Sequence, residues 1–149
     1  MRHQNIIIRP GGPDDLPALR DIFLRSRQAA FRWEPSYSFD LGDFDSQTEG
    51  EFQLVACNQE VLVGFISVWE PDQFIHHLHV DPRFLRRGIG RALLFALPGW
   101  KINRYRLKCV SANERALAFY HSNHFIQVGE GRVNGNGQDY LLLESKGGG

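Results

Sequence analysis

Seven stretches of the chain either alternate apolar with polar residues or form short apolar runs, as strands do. They cover residues 5–9, 51–57, 61–69, 74–80, 105–110, 125–129 and 139–143. Apolar residues spaced three and four apart predict helices within residues 14–30, at 91–97 and at 113–122. Pro35 and Gly42 interrupt an aromatic stretch at residues 31–44, which predicts a loop or a broken helix. The predicted order of elements is β-α-α-β-β-β-α-β-α-β-β.

Short turns connect the strands predicted at residues 51–57, 61–69 and 74–80, so these three should pair consecutively and antiparallel. The 149 residues, 42% of them hydrophobic and 23% charged, suit one globular domain. We expect this domain to span residues 1–146, followed by a glycine tail at residues 147–149.

Charge and hydropathy narrow the classes of function. Seventeen Lys and Arg balance seventeen Asp and Glu, and this zero net charge argues against the usual basic kind of nucleic-acid binder. The sequence has no apolar run of about 18 residues and no charged-then-apolar leader, so neither a membrane span nor a secretory signal is expected. A cytoplasmic location is predicted. Cys57 and Cys109, each isolated in an apolar segment, are predicted to be reduced core residues.

The junction at residues 77–94 concentrates positive charge. Asp81 and Pro82 end the preceding strand, and helical spacing begins at Gly88. Gly88 and Gly90 permit a close backbone approach, and the first N–H groups of a helix lack intrahelical partners. Four arginines surround this loop, at positions 83, 86, 87 and 91. The pattern predicts a cup for an anion such as a phosphate.

The run L-x-V-D-P-x-x-x-R-R-G-I-G-x-A-L-L at residues 78–94 resembles the acyl-CoA signature of the GNAT superfamily of N-acyltransferases. In that family the loop reads [Q/R]-x-x-G-x-[G/A]; Gly88 and Gly90 match it, whereas Leu85 occupies the Gln/Arg position. Residues 113–120, N-E-R-A-L-A-F-Y, are similar to the family's N-x-x-A-x-x-F-Y. Phe125 fits the closing G-F, with His124 in place of the glycine. The element order is also that of the GNAT fold.

The resemblance implies an α/β fold of the α+β type: a single domain with a mixed, mostly antiparallel central sheet of about seven strands and three to four helices. It also implies an acetyl-CoA-dependent N-acetyltransferase that needs no metal and acts on an amine acceptor by direct attack. Tyr120 would protonate the departing thiolate, and Asn113 would contact the pantetheine region. The residues implied to bind the co-substrate are Leu78, His79, Val80, Arg86, Arg87, Gly88, Ile89, Gly90, Arg91, Asn113 and Tyr120.

The base that deprotonates the amine is harder to assign. Family members that take a base from this strand place it four or six residues before the Val of V-x-P, which here gives His76 or Phe74. Only His76 can titrate, and it is the candidate. His77 and His79 should face the other way unless a bulge changes the register. Three carboxylates at neighbouring strand ends remain alternatives acting through water: Glu51, Glu70 and Asp72.

Several points stay open at the level of sequence. Aromatic side chains could line an acceptor pocket or only pack a lid: Phe31, Trp33, Tyr37 and Trp69. A small-molecule amine and a peptide amine are not distinguished, nor is a monomer from a homodimer. One rival hypothesis is a metal site built from His76, His77 and His79, with help from one of the cysteines. Another is a non-catalytic acyl-CoA-binding or regulatory domain.

Overall fold

The protein was analysed as a computed structural model that describes residues 5–30, 39–133 and 138–146. Its sheet has seven strands in the order β1-β2-β3-β4-β5-β7-β6. The strands are β1 (Ile6–Pro10), β2 (Phe52–Asn58), β3 (Val61–Trp69), β4 (Phe74–Val80), β5 (Arg106–Val110), β6 (Phe125–Val133) and β7 (Gln138–Ser145). The helices are α1 (Leu16–Ala30), α2 (Asp43–Gln47), α3 (Ile89–Phe95) and α4 (Glu114–Ser122). This mixed sheet confirms the predicted fold class.

Helices cover both faces of the sheet. On one side, the α1 face, α1 and α2 pack through Phe23 and Phe44 onto Phe65 of β3, with ring centroids 5.4–6.1 Å apart. On the other side, the α4 face, α3 inserts Leu93 and Leu94, and α4 packs against the same core. Each fully buried side chain of this size stabilises the fold by about 1.5–3 kcal/mol. The strands are therefore fixed from both sides.

The sheet opens between its two parallel neighbours, β4 and β5. Along their described length, Phe74 and Arg106 are the single pair of facing Cα positions. The N–H of Arg106 also donates to the carbonyl of Gln73 at 3.1 Å. The other neighbouring strands pair antiparallel over five or more positions. Toward the carboxyl ends of β4 and β5, the edges that face each other consequently lack ladder partners.

The largest differences from the predicted element boundaries are in α3, β6 and β7. Helix α3 begins at Ile89 rather than at residue 91, because Gly88 adopts φ +79° and caps it directly. Strands β6 and β7 extend beyond the predicted runs, since their mutual ladder continues through Gly129 and Gly131 despite the poor strand propensity of glycine. The structure confirms that His124 ends the α4 segment with φ +70°, in the family's glycine position.

Among the described residues, no helix is long and apolar enough to cross a membrane. Both cysteines are buried and free, as predicted.

Candidate active site

Strand β4 contains a bulge at His76. Ser67 of β3 faces His77 and Val68 faces Ile75, so His76 is the extra residue between two paired positions. As a result Ile75 and Leu78, three residues apart, both lie toward the α4-face core. The bulge also changes the expected alternation of the histidines: His76 and His77 lie on the same side, the α1 face, because the contacts of both rings are there.

A buried carboxylate holds the ring of His76. Nδ1 of His76 is hydrogen-bonded to Oε2 of Glu51, whose side chain is only 3% exposed, whereas that of His76 is 42% exposed. The hydroxyl of Ser67, a fully buried residue, donates to the other oxygen, Oε1, at 2.5 Å. The bulge therefore places one imidazole nitrogen on Glu51 and leaves the other facing outward.

His77 and His79 are structural neighbours of helix α1. Their rings lie edge-on to Phe23, with centroid separations of 4.9 and 5.1 Å. Nε2 of His77 donates to the carbonyl of Gln47 at 3.3 Å, and Nδ1 of His79 lies 2.9 Å from Oγ of Ser26. Burial lowers the pKa of His77, and it lowers the pKa of His79 to about 3. Both rings are thus neutral at pH 7.

The three histidines do not converge on an ion. Within the described ranges, no group of three or more His, Cys, Asp or Glu side chains has the geometry to hold a metal. The ring nitrogens given above are bonded to a carboxylate, a carbonyl and a hydroxyl instead.

Two residues of β4, Leu78 and Val80, direct their main-chain N–H and C=O groups toward the opening between β4 and β5. Asp81 donates its N–H to the carbonyl of Val63 on β3, at 2.8 Å. In an antiparallel ladder, every second residue points the same way, so His79 and His77 also direct their peptide groups toward β3. Leu78 and Val80 direct theirs toward β5. The expected co-substrate contact from His79 is not supported by this geometry, since its main chain meets β3 and its ring meets α1.

The loop after β4 carries unpaired donors. In the described part of the chain, no backbone N–H from residue 86 through residue 91 donates a hydrogen bond to another protein group. Arg86 and Gly88 both have positive φ, +64° and +79°. Such a conformation is uncommon for a residue with a side chain and carries a conformational cost for arginine. A Cβ on Gly88 would meet no atom within 4 Å, so the space above this glycine is open.

At Gly90, packing against a neighbouring helix, and not the backbone conformation, favours glycine. A Cβ at this position would lie 3.0 Å from Cζ of Phe119, closer than side chains normally approach. The absence of a side chain lets α3 pack against α4. The loop sequence indicates only a phosphate contact for Gly90, and nothing in it indicates the contact with Phe119.

The arginines of the loop divide into two groups. Arg83 is paired with the buried carboxylate of Asp81 at 2.8 Å, and Arg25 of α1 pairs with the same group at 3.1 Å. Hydrogen bonds from Arg83, and then from Arg25, hold the pKa of Asp81 well below its usual range. Three further arginines have no carboxylate partner in the described residues: Arg86, Arg87 and Arg91. These three are the cations available to an anion in the cup.

Tyr120 of α4 lies on the α4 face, packed against the core there. Its ring packs edge-on against Phe125, with centroids 5.3 Å apart. Burial, with a smaller contribution from Cys109 of β5, raises the pKa of its hydroxyl above the usual range. In the described residues this hydroxyl has no hydrogen-bond partner. The group is therefore protonated, and its proton is not committed to the protein.

Asn113 precedes α4 as its N-cap and is not within the helix. Its Oδ1 accepts from the N–H of Ala116 at 3.3 Å. This capping bond explains the asparagine structurally. Within the described residues, its side-chain amide N–H groups donate no hydrogen bond.

Of the residues predicted to line the acceptor pocket, only Trp69 is among the described residues. Phe31, Trp33 and Tyr37 lie outside the described residues. Trp69 ends β3 and is 38% exposed, close to where a Cβ on Gly50 would stand. In the β3–β4 ladder it faces Phe74, the first residue of β4. A pocket of about 710 Å³ elsewhere, lined in part by Phe95 and Trp100, contains none of the predicted site residues.

Ser67 was not singled out from the sequence. In the sequence, Ser67 could have been recognised as the lone polar residue of the apolar strand V-L-V-G-F-I-S-V-W. A buried hydroxyl in such a strand needs a hydrogen-bond partner, and here that partner is Glu51.

Comparison with known proteins identifies the family of the chain. A sequence model described as the acetyltransferase (GNAT) family matches residues 16–125. No curated protein sequence matches the chain.

Solved structures share the fold at low identity. A GCN5-related N-acetyltransferase from Rhodopseudomonas palustris is 23% identical with a TM-score of 0.78, covering 97% of this chain and 98% of that one. The PaiA N-acetyltransferase of Thermoplasma acidophilum, in complex with coenzyme A, is 22% identical with a TM-score of 0.76, covering 95% and 99%. The ribosomal-protein-S18-alanine N-acetyltransferase of Escherichia coli is 22% identical with a TM-score of 0.72, covering 94% and 92%. The chain therefore belongs to the GNAT family and is an acyl-CoA-dependent N-acyltransferase, as the sequence predicted.

Proposed function

We propose that the protein transfers the acetyl group of acetyl-CoA directly to a primary amine, with His76 as general base and Tyr120 as general acid. The observation that supports this function most directly is the opening between β4 and β5. Strand β4 continues into a loop whose N–H groups from residue 86 through residue 91 have no acceptor among the described residues.

The residues present suit a bound coenzyme A. Its pyrophosphate would accept hydrogen bonds from the loop N–H groups, in the open space above Gly88. Arg86, Arg87 and Arg91 would add charge-assisted contacts. The outward-facing peptide groups of Leu78 and Val80 would pair with the amides of the pantetheine arm, as an added strand would. Asn113 would contact that arm with its free amide N–H groups.

Acetyl-CoA supplies an activated thioester carbonyl. An amine with a pKa of about 10 arrives mostly protonated, so a base must remove a proton before or during attack. His76 lies on the α1 face with one ring nitrogen facing outward. An acceptor approaching from that face would meet this nitrogen.

Tyr120 lies on the opposite side of the sheet, toward α4. Its raised pKa keeps the hydroxyl protonated, which a proton donor to the leaving thiolate requires. Base and acid would thus act from opposite faces of the sheet. The acceptor would enter from one face while the thiol leaves toward the other.

Thiol release from acetyl-CoA across a panel of small amines, polyamines and peptide N-termini tests the proposal. We expect release that depends on one class of amine. No release above the acetyl-CoA hydrolysis background with any of them, from protein shown to bind coenzyme A, would contradict it.

A further inference from the structure

The buried carboxylate of Glu51 has contacts that suggest a second role at the site. Moving an ionised carboxylate out of water costs several kcal/mol unless hydrogen bonds or a counter-charge compensate for it. Among the described residues Glu51, with 3% of its side chain exposed, has two side-chain partners: Ser67 on Oε1 and His76 on Oε2. Of these, only the imidazole can carry a positive charge.

We propose that Glu51 is a positioning residue that orients His76 and stabilises the imidazolium formed when the acceptor amine loses its proton. This inference rests on the function proposed above. It assigns no proton transfer to Glu51 itself.

The contact fixes the tautomer of His76. A carboxylate can only accept, so the hydrogen bond to Glu51 requires the proton of the neutral imidazole on Nδ1. Nε2 then carries the lone pair. In an imidazole ring Nε2 lies across from Nδ1, so this lone pair points away from Glu51, and the His76 side chain is 42% exposed.

Ser67 and Gln53 hold Glu51 in turn. The hydroxyl of Ser67 has one proton, and it is donated to Glu51. Nε2 of Gln53 lies 3.4 Å from the Ser67 oxygen, as a weak donor to it. These groups come from β2 and β3, so three adjacent strands define the position of one imidazole on the bulge of β4.

Acetyl transfer with these groups conserves atoms and protons. The ammonium form of the amine first loses one proton to solvent. As the neutral amine nitrogen then bonds to the acetyl carbon, Nε2 of His76 takes the second proton from that nitrogen. The carbon–sulfur bond breaks and Tyr120 gives its proton to sulfur. The imidazolium beside Glu51 then returns its proton to solvent, and Tyr120 regains one.

The buried position of Glu51 argues against the alternative that it acts as the base through water. His76 and Ser67 occupy its two oxygens, and little of the side chain reaches solvent. A water relay would have to displace one of these partners.

The pH dependence of kcat/KM distinguishes a positioning role of Glu51 from a role of Glu51 as the base. Wild type, Glu51→Gln, His76→Gln and the double variant would be compared from pH 5.5 to 9, with the exposed Glu60→Gln at the β2–β3 turn as control. An amide keeps the shape of Glu51 but stabilises an imidazolium less, so Glu51→Gln should shift the acid limb to lower pH. It should also reduce kcat roughly 10- to 100-fold, with the KM for acetyl-CoA unchanged.

The double variant should be no slower than His76→Gln alone, since Glu51 acts through His76. An unshifted acid limb in Glu51→Gln would overturn the inference. So would an acid limb that persists in His76→Gln and is absent in Glu51→Gln, because Glu51 would then be the base.

Histidine ¹⁵N NMR of the folded wild type needs neither turnover nor a variant. We expect the neutral ring of His76 to carry its proton on Nδ1. A proton on Nε2 would overturn the positioning role even in a protein with known activity. Failure of the proposed function has a different signature, namely no thiol release with the Nδ1–H tautomer intact.

Discussion

Gly90 of α3 and Phe119 of α4 are in direct packing contact: a Cβ on the glycine would lie 3.0 Å from Cζ of the ring. Neither residue alone indicates this contact, because the two helices are joined through β5. The contact makes Gly90 a packing residue of the fold, in addition to any contact with co-substrate.

Gly90→Ala should therefore destabilise the protein before any ligand is considered. We expect a loss of about 1–3 kcal/mol in the free energy of unfolding, measured by urea denaturation, because the ring of Phe119 must shift. In a Phe119→Leu background the further cost of Gly90→Ala should be smaller. Additive losses for the two substitutions would contradict the contact.

The two loop glycines, Gly88 and Gly90, show which structural features a local sequence pattern can predict. Helical spacing was predicted to begin at Gly88 because its left-handed φ is a local property that glycine adopts readily, although the helix itself begins two residues earlier than predicted. Gly90 depends on a ring from another helix, which no pattern within the loop reveals. In the same way, the sequence predicts that residues 74–80 form a strand, but it does not place His76 at a bulge. The bulge depends on how β4 pairs with Ser67 and Val68.

Binding of acetyl-CoA should depend on Gly88. At about 100 times the dissociation constant, the ligand should stabilise wild type by ~2.7 kcal/mol, which raises Tm by roughly 5–10 °C for a chain of this size. Gly88→Val should abolish the shift, because a branched side chain disfavours φ +79° and fills the space for the pyrophosphate.

Gly12 offers a matched control. A Cβ there also meets no atom within 4 Å, but its φ of −138° suits any residue. Gly12→Val should keep the full thermal shift. An unchanged shift in Gly88→Val would show that the cup does not bind the co-substrate.

Acid should weaken the fold through His79. Its folded pKa of about 3 lies below the unfolded value of about 6.5, so the unfolded state binds more protons between these pH values. The free energy of unfolding should therefore fall as pH drops below 6.5, by at most about 1.4 kcal/mol per pH unit from this group.

His79→Gln should reduce that slope, although it also removes ring contacts with Phe23 and Phe65. Urea denaturation at pH 7, 6 and 5 gives the slope directly. The exposed His121 on α4 serves as control, and His121→Gln should leave the slope of wild type unchanged. Equal slopes in wild type and His79→Gln would mean that His79 is not buried as a neutral ring.

Tyr120→Phe tests the proposed general acid while keeping the ring that packs against Phe125. If the hydroxyl protonates the leaving thiolate, kcat should fall on the order of 10²- to 10⁴-fold, with little change in acetyl-CoA affinity. Because no protein group binds this hydroxyl in the described residues, its loss should cost little stability, and the Tm should stay near that of wild type. Single-turnover kinetics would separate chemistry from product release. Wild-type rates there would assign thiolate protonation to water, and the raised pKa of Tyr120 would then be a consequence of burial without a catalytic role.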